Sequence, residues 1–181
     1  NLWFKNTSYE WSARVPFIVT GPGVAPRRLS ETIGLHDLGP TIAGLAGIEQ
    51  LDYPRVGRDV SDLLRGERAE ETGEAIVENY GEGIWKGVRT IVRGTWKLTT
   101  CAGAEPELFN LDEDPGEWEN RARDPACSEI RAELEGALHA SWGDPEALVE
   151  RRWQSEERRL AILASYERRG EPLPQWKVPW D

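Results

Sequence analysis

The apolar positions at the start of this chain indicate a buried strand. Residues 15–20 are almost continuously apolar, a pattern typical of a strand that is covered on both faces in an α/β sheet. Pro16 stands at the beginning of this run, where a missing backbone N–H is tolerated. The run ends at a Gly-Pro-Gly turn, residues 21–23.

The next periodic stretch predicts a helix. Its apolar residues recur at spacings of four and three, and they are Leu38, Ile42 and Leu45. Asp37 stands at the position of a helix cap, Pro40 fits the first turn, and Gly47 marks the end. A strand followed by a helix continues a β/α layer, so residues 1–66 are predicted to be the end of an α/β domain.

From residue 67 onward the pattern changes to short strands. The predicted strands are 75–80, 88–93, 96–100 and 108–111, and Gly94-Thr95 suits a type II′ hairpin turn. A helix capped by Ser128 follows, and one of its faces carries Ile130, Leu134, Ala137, Leu138 and Ser141. Residues 67–144 are therefore predicted to form a small antiparallel α+β subdomain.

The last segment, residues 145–181, predicts a charged helix and an extended tail. Asp144-Pro145 breaks the preceding helix, and Trp153, Leu160 and Leu163 share a stripe over residues 146–168. The final residues contain three prolines and cannot be regular. Because they also carry two tryptophans, we expect the tail to lie against a surface, its own or a neighbouring subunit's.

Composition narrows the classes of partner. The 181 residues carry a net charge of −10, which argues against nucleic acid as a partner and is common in cytoplasmic bacterial enzymes. No run approaches the length of a membrane span, and the first residues do not form a signal peptide. A chain without methionine that opens on a strand is interpreted as the C-terminal part of a larger protein.

The two cysteines and the acidic run at residues 112–117 are interpreted as structural features and not as metal sites. Cys101 and Cys127 have no paired Cys or His nearby, so two free thiols are expected and a disulfide is the alternative. The acidic run 112–117 lacks the ligand spacing of a calcium loop and is predicted to be a solvated turn.

Lys5 and Glu82 are the residues best suited to bind a charged ligand. Lys5 lies among aromatic residues, and its ammonium group suits a tetrahedral oxyanion such as sulfate; the alternative is a surface lysine that covers apolar rings. Glu82 lies between two glycines and close to Trp85, a setting suited to a quaternary ammonium group; the alternative is an exposed turn residue.

The adjacent pair His36-Asp37 resembles an acid/base couple. Neighbouring residues on a helix do not face each other, and Asp37 has a capping position, so a structural role is favoured.

Several motifs, in a fixed order, resemble type I sulfatases of the alkaline-phosphatase-like superfamily. They are Lys5 with Tyr9-Glu10, the residues 14–19, Gly21-Pro22-Gly23, the residues 36–41, Val88-Arg89 with Trp96-Lys97-Leu98, and the residues 107–120. The elements at 80–83, Cys101 and the C-terminal extension are most similar to choline-sulfatase-like members.

This resemblance implies the C-terminal part of a sulfatase fold and the hydrolysis of sulfate esters, with choline sulfate or another small alkyl sulfate as substrate. Lys5 would bind a sulfate oxygen and Glu82 the choline ammonium group. A formylglycine and a divalent cation, usually calcium, would come from the upstream part of the same protein. The tail would pack across a subunit interface of a homo-oligomer.

Two other functions remain open at this point. The first is a phosphonate monoester hydrolase or phosphodiesterase of the same superfamily, which uses nearly the same site. The second is a non-catalytic module for assembly.

Overall fold

A five-stranded mixed sheet forms the centre of the molecule. The structure is a computed structural model, and it describes residues 7–48, 57–80 and 86–172, except for the side chain of residue 142. The strands are β1 (Thr32–Ile33), β2 (Gly73–Asn79), β3 (Val88–Arg93), β4 (Trp96–Cys101) and β5 (Glu107–Asn110). They lie in sequence order; β1 pairs with β2 in parallel and the other neighbours are antiparallel.

The described residues also form five α-helices. They are α1 (Glu10–Ala13), α2 (Leu38–Leu45), α3 (Ser61–Arg65), α4 (Ser128–Trp142) and α5 (Pro145–Arg169). Short 3-10 turns precede two of them, at Leu35–Asp37 and Pro125–Cys127. No helix in the described ranges is long and apolar enough to cross a bilayer. The predicted α/β organisation with an antiparallel α+β subdomain is confirmed.

The core lies between one face of the sheet and α4. Leu134 and Leu138 of α4 are almost completely buried, as their predicted helical spacing requires. They join one hydrophobic cluster with the inward-facing strand residues Ile91, Leu98 and Leu108. The β3–β4 hairpin turns at Gly94, whose φ of +57° suits the first position of a type II′ turn. Because the strand residues alternate between two faces, Lys97 lies on the side of β4 opposite to this core.

The predicted strand at residues 15–20 is wrong for the described part of the chain. The segment is extended, but it pairs with no described strand, and Val15 and Ile18 are 51% and 87% exposed. The side chains Leu38 and Ile42 of α2 are exposed as well, whereas Thr41 and Ala43 are buried. A continuous apolar run indicates that the segment requires burial, but it does not identify the residues that cover it.

Asp37 does not cap α2 as predicted. Its buried carboxylate instead accepts hydrogen bonds from the backbone N–H of Gly34 at 3.0 Å and of Arg58 at 2.7 Å. The end of the helix is as expected, since Gly47 adopts a φ of +69° two residues after Leu45. Asp37 therefore fixes two loop segments to each other.

Glu31 connects the first segment to the sheet. Its side chain is fully buried and lies 3.0 Å from Arg68 and 3.3 Å from Arg58. Its carboxylate also accepts a hydrogen bond from the backbone N–H of Glu71 at 2.9 Å. The contacts of Glu31 with Arg68 and Glu71, together with the β1–β2 pairing, cross the boundary at residue 66 that the sequence suggests.

This carboxylate should make stability depend on pH. Burial opposes ionisation of Glu31, but the hydrogen bonds from Arg68 and Glu71 and the charge of Arg58 hold its pKa below the usual 4.5. The folded state then binds fewer protons than the unfolded state, so this contribution is present above pH 4.5 and is lost as the pH falls through the folded-state pKa. We expect Glu31→Gln to flatten the acid limb of stability, as measured by urea unfolding from pH 7 to pH 3. An unchanged acid limb would contradict this role.

The C-terminal helix α5 buries none of its described residues. The Asp144 side chain caps it by accepting a hydrogen bond from the N–H of Glu146 at 2.9 Å, as the Asp-Pro sequence suggests. In the predicted stripe Trp153 and Leu160 are about half accessible, and Leu163 is of intermediate burial. The proline-rich residues 173–181 lie outside the described part.

Candidate functional site

The two predicted ligand-binding residues, Lys5 and Glu82, lie outside the described residues. Described residues lie close to each of them in the sequence. Tyr9 and Glu10 follow Lys5 in the chain, and Tyr80 and Lys86 stand on either side of the segment that contains Glu82.

Tyr9 attaches the N-terminal segment to the far edge of the sheet. Its hydroxyl donates to the carboxylate of Glu107 on β5 at 3.1 Å, and its ring lies 6.4 Å from the ring of Phe109. Burial raises the pKa of the Tyr9 phenol, and the neighbouring Glu107 carboxylate raises it further. The phenol therefore stays protonated and serves as a hydrogen-bond donor.

A buried ionic cluster lies beside Tyr9, and we call Lys97, Glu10 and Glu117 the clamp. Lys97 Nζ on β4 lies 2.7 Å from Glu117 Oε1 and 3.0 Å from Glu10 Oε1. The side chains of Lys97 and Glu117 are each 1% exposed. In addition, Glu117 Oε2 accepts the backbone N–H of Glu10 at 2.6 Å. One cation thus holds two carboxylates from segments that are far apart in the sequence.

The prediction of a solvated turn at residues 112–117 is wrong for Glu117. Asp112 and Glu113 are exposed as expected, but the chain folds back and Glu117 is buried. The sequence did contain one signal: a lysine in the middle of a strand of a packed sheet needs a carboxylate partner, because an unpaired buried charge is costly. It gave no indication of which carboxylate that would be.

His36 and Asp37 do face each other, contrary to the sequence argument. They lie in a 3-10 turn, and His36 Nε2 is 3.5 Å from Asp37 Oδ1. The Asp37 carboxylate is also paired with Arg58 at 3.3 Å. These contacts are consistent with the structural role that was favoured for the pair.

The segment that contains Glu82 begins where α5 contacts the sheet. Arg152 of α5 donates to the carbonyl oxygen of Tyr80 at 3.0 Å. The Arg89 guanidinium, which is buried, donates to the carbonyl oxygen of Gly143 between α4 and α5. Burial and a hydrogen bond to Glu78 raise the pKa of the Tyr80 phenol. The first turns of α5 therefore lie next to Tyr80.

The described residues do not fit the implied metal ion. They contain no group of three or more His, Cys, Asp or Glu side chains that could hold one. The buried carboxylates of this region are each paired with Arg or Lys. The two cysteines are free, and this confirms the expectation of two free thiols. The described residues therefore provide no set of ligands for calcium.

Comparison with known proteins gives a family match. Residues 1–142 match the family described as N-sulphoglucosamine sulphohydrolase, C-terminal. A choline-sulfatase of Rhizobium meliloti is 35% identical over 166 residues, which cover 89% of this chain and 32% of that protein. The chain therefore spans about a third of the length of this relative.

Solved structures have the same fold. A crystal structure of a candidate sulfatase from Bacteroides thetaiotaomicron superposes with a TM-score of 0.64 at 28% identity, covering 82% of this chain and 33% of the other. The phosphonate monoester hydrolase of Agrobacterium radiobacter gives a TM-score of 0.54 at 22% identity, over 71% of this chain and 27% of the other. At that identity the second likeness concerns the fold alone.

Proposed function

This chain belongs to the family of N-sulphoglucosamine sulphohydrolase C-terminal regions, and we propose that it forms the C-terminal part of an enzyme that hydrolyses sulfate esters. The observation that carries the proposal is the family match over residues 1–142, which includes every motif from Lys5 to the acidic turn. The structure supports it, because charged residues of three of these motifs, Glu10, Lys97 and Glu117, meet in the clamp.

In this proposal Lys5 donates to a sulfate oxygen. A lysine ammonium group is a compact charge with three donors, and it stabilises the negative charge that develops on sulfate oxygens in the transition state. The upstream part would supply a formylglycine nucleophile and a divalent cation, which is usually calcium in the family that the motifs resemble. The described residues contribute the support for the Lys5 segment.

The activity is tested with the full-length protein on three classes of ester. We expect release of sulfate from choline sulfate and from an aryl sulfate to exceed, in kcat/KM, the hydrolysis of a phosphonate monoester and of a phosphodiester. Faster hydrolysis of the phosphorus esters would favour the related hydrolase, whose fold the chain shares. Absence of turnover on every ester would favour an assembly module.

The substrate proposal is choline sulfate or another small alkyl sulfate. It is supported by the 35% identity to a choline-sulfatase and by the position of Glu82 between two glycines. Glu82→Gln should raise KM for choline sulfate by about tenfold, the scale of one charge-assisted contact, and leave KM for a neutral aryl sulfate nearly unchanged. Equal changes for both substrates would contradict recognition of the ammonium group by Glu82.

The upstream part of the same protein is the proposed partner of an exposed apolar surface. Val15, Phe17, Ile18, Leu35 and Leu38 are all exposed along one side of the described structure. Exposed apolar residues that cluster in this way usually mark an interface. An occupant from the same protein is supported by the length of the choline-sulfatase relative, of which this chain covers 32%.

A homo-oligomer through the C-terminal extension is the second proposed partner. Support comes from α5, which has 25 residues, none of them buried, and an exposed apolar stripe. Deleting residues 145–181 from the full-length protein should lower the mass measured by light scattering to that of a smaller particle. An unchanged subunit number would indicate that the extension packs on its own chain.

The acidic charge balance supports a cytoplasmic location.

A further inference from the structure

The short helix α1 is held by polar contacts and not by a hydrophobic face. It has only four residues, and none of them is buried; Trp11 is 90% exposed. A helix of this length has no intrinsic stability in water. Its position on the sheet depends on the hydrogen bond from Glu10 N to Glu117 and on the ion pair between Glu10 and Lys97.

The backbone of Glu117 adopts a costly conformation to make these contacts. Its φ of +56° is the only positive φ of a non-glycine residue in the described part of the chain. A side chain with a Cβ strains the backbone in this left-handed region. The conformation turns the carboxylate inward, while the exposed residues Glu113 and Trp118 of the same turn point to solvent.

A buried ion pair of this kind fixes the relative positions of the segments that carry it more than it stabilises the fold. The cost of removing two charges from water offsets most of their attraction, and apolar residues of the same size often give an equally stable protein. Lys97 is well placed for a geometric role, because the next residue on β4, Leu98, is completely buried in the core on the other face. The clamp thus connects α1 to a strand that packs on the core.

We propose that Lys97 and Glu117 are positioning residues for Lys5. Glu10 follows Lys5 by five residues, and Tyr9 and Glu10 are both fixed to the C-terminal sheet, so the clamp sets where the chain that carries Lys5 enters the sulfate site. This inference rests on the proposed function of Lys5. It assigns the C-terminal subdomain a role in catalysis without contact between its residues and the substrate.

The test is Glu117→Gln in the full-length protein. Glutamine keeps an oxygen that can accept the N–H of Glu10, and Lys97 keeps its contact with Glu10, so we expect the variant to fold. Loss of the charge should loosen α1 and lower kcat for an aryl sulfate by about tenfold or more, with a smaller change in KM, since small displacements of catalytic groups reduce turnover steeply. Hydrogen exchange of amides 7–14 should accelerate, while that of β4 and α4 stays as in the wild type.

The matched control is Glu113→Gln. It removes a carboxylate from the same turn, but one that is exposed and pairs with Arg121 at the surface, so neither kcat nor exchange should change. If Glu117→Gln does not fold, Glu117→Asp replaces it, because aspartate retains the charge but cannot reach both Lys97 and the N–H of Glu10.

The outcomes separate the two proposals. Wild-type exchange at residues 7–14 with unchanged kcat in the Glu117 variant would overturn the positioning role, while sulfate release by the wild type leaves the proposed function intact. Faster exchange with unchanged kcat would also overturn it, because α1 would then be mobile without consequence for turnover. A wild-type protein that does not hydrolyse sulfate esters would refute the proposed function and the role of Lys5 with it.

Discussion

Lys5→Ala should lower kcat/KM for sulfate esters by about 10²-fold or more, the scale of removing one donor that stabilises transition-state charge. The ammonium group would donate to an oxygen of the transferred sulfate. Residues 1–66 contain no other lysine that could replace it. The measurement is steady-state hydrolysis of an aryl sulfate and of choline sulfate by the full-length enzyme. The value of kcat/KM should fall by the same factor for both substrates, because the sulfate group is the only part that they share.

The control is Lys86→Ala, which removes an exposed lysine next to the other predicted ligand segment. It should leave kcat/KM for the aryl sulfate close to that of the wild type. A Lys5→Ala enzyme with unchanged kcat/KM would show that Lys5 is a surface residue and would remove it from the sulfate site.

Lys97→Met should cause the largest loss of stability among the changes considered. Methionine fills the space of the lysine stem but leaves Glu10 and Glu117 facing each other without a cation, since the Lys97 ammonium lies within 3.0 Å of both carboxylates. Breaking a buried ion pair by removing one partner costs about 3–5 kcal/mol. The measurement is hydrogen exchange of β4 and α4 amides at increasing urea concentration in the full-length protein.

Two comparisons identify the cause of this loss. The exposed Lys86→Met should change the free energy of unfolding by about 0.5 kcal/mol or less. Adding Glu117→Gln to Lys97→Met should restore part of the stability, because one of the two uncompensated charges is removed. A double variant less stable than the single one would contradict repulsion between the carboxylates.

The parts of the fold that could be predicted are those set by local sequence. The strands β3 and β4, the turn at Gly94 and the buried face of α4 follow from alternation, turn chemistry and helical spacing within one segment. The start of α5 at Asp144-Pro145 is also set by local sequence. Local patterns suffice here because β3 and β4 pair with their neighbours in the sequence, and because the spacing of α4 identifies its buried face whichever strands it covers.

The parts that could not be predicted depend on distant contacts. The run at residues 15–20 is apolar, but its burial requires a partner that the run does not specify. Glu117 looks like any acidic turn residue until the chain brings it to Lys97 and Glu10. The approach of His36 to Asp37 depends on a 3-10 turn in place of regular helix. Lys5 and Glu82 stay predictions, since both lie outside the described residues.

The sequence separations within the clamp also have a consequence for the order of folding. Neighbouring strands from β2 to β5 are joined by short connections, so their pairing closes small loops and can form early. Glu10, by contrast, is separated from Lys97 by 87 positions and from Glu117 by 107. Closing loops of that size costs chain entropy before any contact is gained. We therefore expect pulse-labelled amides of β3 and β4 to become protected before those of residues 7–13, so that a newly made chain completes its sheet before the clamp forms.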